Sequence, residues 1–294
     1  MRKHIRVVLS ISLVLTFFIS NCFSVFSERE KMNYHESLNE YEFIMEMQRH
    51  SEDQLMKSGL TADETKQLLE FNYKDALYER AKLPEDALSA LGYTEHQISL
   101  LKKFEKHPEN DIDFVATAAT LSESFSRNDG SLTFRTMTFS WVWSNMPLIT
   151  LNDYVGVIWQ GIDSSGLTVD TTSGDRSSSI NYYDMDSGNL AQTVNNSTIN
   201  YNAIKNYLVF NFPMTKYYNG LTLWAKSGSL TFTISSEFNV HYAKIQGTYG
   251  HKILACNVTI DVSGGSWGIS FTPTTKMNNY SIAIKAYILY FVYL

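Results

Sequence analysis

Five aspartates fall between residues 163 and 188, at Asp163, Asp170, Asp175, Asp184 and Asp186, spread among serines and with no apolar pattern between them. Calcium takes about six to eight oxygen ligands at flexible distances, and alternate aspartates in a turn can supply several of them. Asp184-Met185-Asp186-Ser187-Gly188 has the form of the opening of a calcium loop, which makes Asp184 and Asp186 the candidate metal ligands. A complete loop of that kind needs a further acidic ligand, a glycine one place later and then a glutamate. None of these follows, so the other reading is a solvated, turn-rich surface loop in a protein without a cofactor.

Tryptophan is the second chemistry-bearing residue. Trp141 and Trp143 share one face of an alternating run, and Trp159 lies in the next apolar run. Indole faces stack on sugar rings when exposed and build the core when buried. These three are the candidate ligand-binding residues, with core packing as the alternative. His241 and His251 flank a hairpin pattern, Tyr242 to Gly250, where two imidazoles could approach each other; zinc would need one or two further ligands, Glu237 or Asp261. No G-x-S-x-G, H-E-x-x-H or phosphate-loop motif is present, and no cysteine has an activating neighbourhood. A hydrolase built on two glutamates would have to use Glu123 and Glu237, the two glutamates beyond residue 113. A non-enzymatic protein is the expectation.

Two different elements must hold these residues. Residues 30–107 read as helices: Leu38, Tyr41, Ile44 and Met45 recur at the three-to-four spacing of one helix face. Gly59-Leu60-Thr61-Ala62-Asp63-Glu64 returns as Gly92-Tyr93-Thr94-Glu95-His96-Gln97, each a glycine stop followed by a threonine cap with Glu or Gln three places on. A further helix is expected from about Glu70 to Lys82, and Pro84 marks another helix start. After Lys106-His107-Pro108 the period changes to two. Strands are expected at Leu132–Trp141, Tyr154–Trp159, Tyr207–Phe212, Leu221–Trp224, Ser229–Phe238, Lys252–Val262, Gly268–Phe271 and Tyr280–Leu294. Turns are expected at Gly228, Gly247 and Gly264-Gly265, and Ala286 to Leu294 is expected as a central sheet strand. The fold class is therefore α+β in two parts: a small helical bundle over 28–110, then an antiparallel β-sandwich over 111–294.

Residues 1–27 read as a signal peptide. Arg2, Lys3 and Arg6 precede the apolar run Val7 to Ile19, which is shorter than the roughly 20 residues of a spanning helix. Small residues allow a cut before Val25 or Glu28; Ile19-Ser20-Asn21-Cys22 offers lipid anchoring at Cys22 as the other reading, less favoured because of bulky Asn21. The expectation is a secreted, extracellular protein. Removal of Cys22 leaves Cys256 alone, which allows no internal disulfide and fits bacterial export. Residues 28–113 carry 20 acidic against 11 basic side chains, while 114–294 carry 10 of each. An acidic front half argues against nucleic acid. A neutral back half gives anionic lipid no electrostatic hold, although a membrane partner stays open.

The helical front, the Trp141-Val142-Trp143 strand running into Pro147 and Asp153, and Tyr249-Gly250-His251 together resemble uncharacterised secreted proteins of Gram-positive bacteria. The resemblance implies a location and no catalytic residues. Three functions follow as expectations. The first is a secreted binding protein whose β part meets a cell-surface glycan or protein. The second is a membrane-active, bacteriocin-like toxin using strands with one polar and one apolar face, such as Ser229 to Phe238. The third is a carboxylate-dependent hydrolase.

Overall fold

Asn39 joins the first strand to the first helix. Strand β1 (Tyr34–Asn39) runs directly into α1 (Glu40–Gln48), and the Asn39 side chain caps the helix by accepting from the Glu42 amide at 3.3 Å. The computed structural model describes residues 34–57, 61–110, 112–128, 134–195, 200–202, 206–235, 242–251, 259–261, 270–272 and 287–290. The expected signal peptide, Cys22, Glu237, His241, Cys256 and the Gly264-Gly265 turn lie outside them. Leu38, expected on the helix stripe, instead sits in β1 opposite Leu121.

Five helices follow before the main strands: α2 (Glu52–Lys57), α3 (Ala62–Glu70), α4 (Tyr73–Ala81), α5 (Glu85–Ala90) and α6 (Glu95–Lys106). The second copy of the repeat does what its residues demand. Gly92 takes a positive φ of 91°, and Thr94 and Gln97 form a reciprocal capping box, with Thr94 N–H donating to Gln97 Oε1 at 2.9 Å and Gln97 N–H to Thr94 Oγ1 at 3.3 Å. Helix α6 buries Ile98, Leu101 and Phe104. The short α7 (Phe114–Thr117) leads into the sheets.

Among the described residues all strand pairs are antiparallel. The larger sheet contains β1, β2 (Thr120–Asn128), β3 (Phe134–Trp143), β11 (Leu221–Ser235), β6 (Thr172–Asp184) and β7 (Leu190–Asn195) in that spatial order, with β10 (Thr215–Tyr218) beside β11. The second sheet runs β15 (Tyr287–Tyr290), β12 (Tyr242–Gly250), β4 (Asn152–Ile162), β9 (Tyr207–Pro213) and β8 (Asn200–Asn202), with β5 (Thr168–Val169) beside β4. Strands β13 (Thr259–Asp261) and β14 (Ser270–Thr272) form a separate pair. Helices and antiparallel sheets together make an α+β fold.

The aromatic side chains explain how the sheets meet. Trp141 stacks on Phe212 at 5.6 Å between ring centroids, and Trp159 stacks on Phe232 at 5.4 Å. One buried cluster joins these rings to Ile44, Tyr73, Leu77, Leu88, Leu101 and Phe104 of the helices. The described residues, from Tyr34 onward, fall in a single compact unit.

Several strand expectations are corrected. Gly228 and Gly247 are not turns: both lie inside strands, β11 and β12. A Cβ on Gly228 would come within 2.2 Å of the Trp141 ring, and one on Gly247 within 2.6 Å of Phe125. These glycines make room for aromatic rings. The two strands expected around Gly228 are one, bent by a bulge at Lys226. The region read as a solvated loop contains the 13-residue β6, hydrogen-bonded between β11 and β7. The C-terminal β15, expected in a central position, pairs only with β12 among the described residues and stands at the end of the sheet order.

Candidate functional site

The strongest polar constellation is buried where α1 meets the two sheets. Glu40, the first residue of α1, has no exposed surface. Its carboxylate accepts from the amides of Leu148, at 2.8 and 3.0 Å, and Ile149, at 3.1 Å; Tyr73 Oη approaches Oε2 at 3.4 Å. Asp153 at the start of β4 is equally buried. It accepts from Tyr249 Oη at 2.6 Å and holds His251 Nδ1 at 3.0 Å, while Trp143 Nε1 donates to Tyr249 Oη at 3.1 Å. His251 Nε2 has no hydrogen-bond partner and stands 4.0 Å from Glu40 Oε1. The Trp143 indole lies edge-on to the imidazole at 4.9 Å. Arg80 borders the cluster, donating to the carbonyls of Met146 and Pro147.

The electrostatics follow from burial. Loss of water raises the Glu40 pKa, against the charge of His251 and the Leu148 and Ile149 amides. Burial pulls His251 down, but the Asp153 charge and hydrogen bond, and then Glu40, outweigh it and leave the imidazole above its ordinary value. Burial and then Asp153 push the Tyr249 phenol far up, so it remains a donor. The arrangement is an imidazole held between two carboxyl groups. With every member buried, it ties α1 to both sheets.

The structure brings together four residues of the sequence signature: Trp143, Asp153, Tyr249 and His251. Glu40, Tyr73 and Arg80 were not legible as their partners. Glu40 did leave a trace: it stands four residues before Ile44 and seven before Met47, the other buried positions of α1.

The remaining candidates are dispersed. Trp141, Trp143 and Trp159 are 2%, 0% and 1% exposed and present no ring face to solvent. Among the described residues the exposed aromatics are tyrosines, Tyr217 and Tyr218, beside a tight turn in which Asn219 and Gly220 both have positive φ. Asp184 uses its carboxylate on its own turn, accepting from Ser187 Oγ at 2.6 Å and from the amides of Asp186 and Ser187; these bonds, led by Ser187, lower its pKa. Asp186 is exposed. Among the described residues, no group of three or more His, Cys, Asp or Glu side chains could hold a metal ion. Glu123 is buried beneath the larger sheet. His251 pairs with Asp153, and His241, its expected companion, lies outside the described residues.

A different surface stands out on the outside of the larger sheet. Strands β2, β3, β11, β6 and β7 place residues in register row by row. One row is Ser122, Val142, Ser227, Asn181 and Thr193; the next is Ser124, Ser140, Ser229, Ser179 and Asn195; the third is Ser126, Thr138, Thr231 and Ser177. All are exposed or half-buried, whereas the alternate residues Leu121, Phe125, Phe139, Trp141, Leu230 and Phe232 face the core. Except for Val142, every position is Ser, Thr or Asn, and none is charged. An ordinary soluble surface is roughly 25–35% charged, so about four charges would be expected over such an area. Cross-strand bonds join Thr138 Oγ1 to Thr231 Oγ1 at 2.9 Å, and Asn181 donates to Ser227 at 3.2 Å.

No known protein family matches the sequence, and no curated protein matches it. Solved structures give distant likenesses. One contains manganese lipoxygenase of Gaeumannomyces graminis and part of zonadhesin of Komagataella pastoris, with TM-score 0.28 and 6% identity over 58% of this chain. This chain spans about half, 54%, of that one. AvmM, which catalyzes macrocyclization in alchivemycin A biosynthesis, gives TM-score 0.26 and 7% identity over 57% of this chain and 87% of its own. Clostridium perfringens delta-toxin gives 0.19 and 9% over 45% and 73%. Likenesses of this size assign no activity.

Proposed function

We propose that the chain is an exported, non-enzymatic binding protein, with an acidic helical bundle over 28–110 set on a β-sandwich over 111–294. The contact surface in this reading is the outer face of the larger sheet. The observation that carries it is the uncharged, hydroxyl-lined surface shared by five strands in register. The buried Glu40–His251–Asp153 cluster has a structural role in this reading, because each of the three is closed to solvent and already engaged with neighbouring groups. Secretion follows from the N-terminal signal, and the partner is a cell-surface glycan or protein.

A membrane-active protein is the second reading. Strands β2, β3 and β11 pair a hydroxyl face with an apolar face and are 9, 10 and 15 residues long. A membrane barrel needs such alternation over about 9–11 residues per strand. These apolar faces now form the core, so insertion would require the core to open.

The two readings part in a paired assay: sedimentation of residues 28–294 with intact bacterial cells, and dye release from liposomes. Sedimentation without dye release is expected. Dye release from vesicles at comparable protein concentration would move the membrane reading ahead.

A further inference from the structure

We infer that the outer face of the larger sheet takes an uncharged polysaccharide laid across its strands. The inference rests on the binding-protein reading and names the partner. Charge decides the class first. Nucleic acids, anionic lipids and acidic glycans are held by Lys and Arg, and the three rows described contain neither. A neutral sugar polymer presents hydroxyls that both donate and accept, and the side chains in these rows do the same.

Geometry supports the same partner. Neighbouring strands are about 4.8 Å apart, so a chain crossing them meets similar groups at a short, regular repeat. Ser124, Ser140, Ser229 and Ser179 form such a line. Val142, 43% exposed, offers the apolar step on which the C–H face of a sugar ring can rest. Preorganisation lowers the cost of binding. Thr138 and Thr231 fix each other, and Asn181 is held between Ser227 and Thr193, which donates to its Oδ1 at 2.9 Å. Asn181 keeps a second amide hydrogen and a second lone pair for a ligand.

The test uses the full mature chain with insoluble cellulose and chitin as neutral probes and immobilised heparin as the anionic one. Retention on at least one neutral polymer is expected, changing by no more than about twofold between low salt and about 1 M NaCl, since screening acts on charges. Ser229→Arg and Thr231→Glu put charge at the centre of the face while leaving β11 paired. Each should lower retention about tenfold or more, with the melting temperature checked, and Ser165→Glu in the exposed turn after β4 should not. Undiminished retention of folded S229R and T231E would remove this face and leave the binding-protein reading intact. No retention on either neutral polymer, or capture by heparin alone, would overturn the polysaccharide; the whole-cell assay then decides the broader reading.

Discussion

Glu40 gives up its water completely and receives two backbone amides in return, with the imidazole of His251 beyond them. The pH consequence has a definite sign. Both Glu40 and His251 have folded pKa values above their ordinary 4.5 and 6.5. A group raised on folding stabilises most below its unfolded value and loses that contribution as pH rises through the folded one. Glu40 loses its part from pH 4.5 upward and His251 from 6.5 upward, so the cluster favours the fold most on the acid side of neutrality. Melting temperature should therefore fall between about pH 6 and pH 8.5. Glu40→Gln keeps an oxygen for the Leu148 and Ile149 amides and removes one buried charge. It should flatten that fall and match or exceed the wild type at pH 8.5; a steeper alkaline loss in E40Q would contradict the arrangement. Thermal melts across the pH series decide it.

At the scale of elements, two strand glycines make room for core rings: Gly247 for rings of the facing sheet, Gly228 for the ring of its own neighbouring strand. Gly247 in β12 lies under Phe125 and Phe139, and Gly228 in β11 lies under Trp141. Alanine at either position must displace a ring in a packed core, a change that costs about 1–3 kcal/mol. Urea melts of Gly247→Ala should show the midpoint lowered with the slope retained; an unchanged midpoint would mean that the rings have space to move. The same glycines show where sequence reading stops. In a β-rich sequence glycine signals a turn, and only the partner strand reveals that it serves an aromatic ring. Strand β6 was illegible for a related reason. Its run Ser177-Ser178-Ser179 is polar on both faces, because Ser178 is buried while its neighbours point outward. Alternation without contrast in hydropathy leaves no period to read. By contrast, the second glycine-threonine repeat was legible as a cap because its groups lie three residues apart and need no distant partner.

For the whole molecule, the helices and sheets are bound by more than contact. A chain beginning at Ile112 would lack β1, Glu40 and Tyr73 and would open His251, Leu148 and Ile149 to solvent. It should not reproduce the full-length unfolding transition: a lower melting temperature or loss of cooperativity is expected by calorimetry. A truncated chain melting like residues 28–294 would show that the two parts fold separately. Fold class was legible at this scale from the change of period near residue 108. The convergence of Trp143, Asp153, Tyr249 and His251 was legible only as a set of residue types, since partners such as Tyr249 and Asp153 stand 96 residues apart.

The placement of Glu40 also sets a clock on synthesis. It belongs to the first described helix, yet Leu148 follows it by 108 residues, and His251 follows Asp153 by a further 98. A ribosome adds about 5–20 residues per second, so this carboxylate waits on the order of 10–40 s before its last partner exists. Through that interval the cluster that ties α1 to the sheets is incomplete, and the nascent chain lacks the contact that closes it.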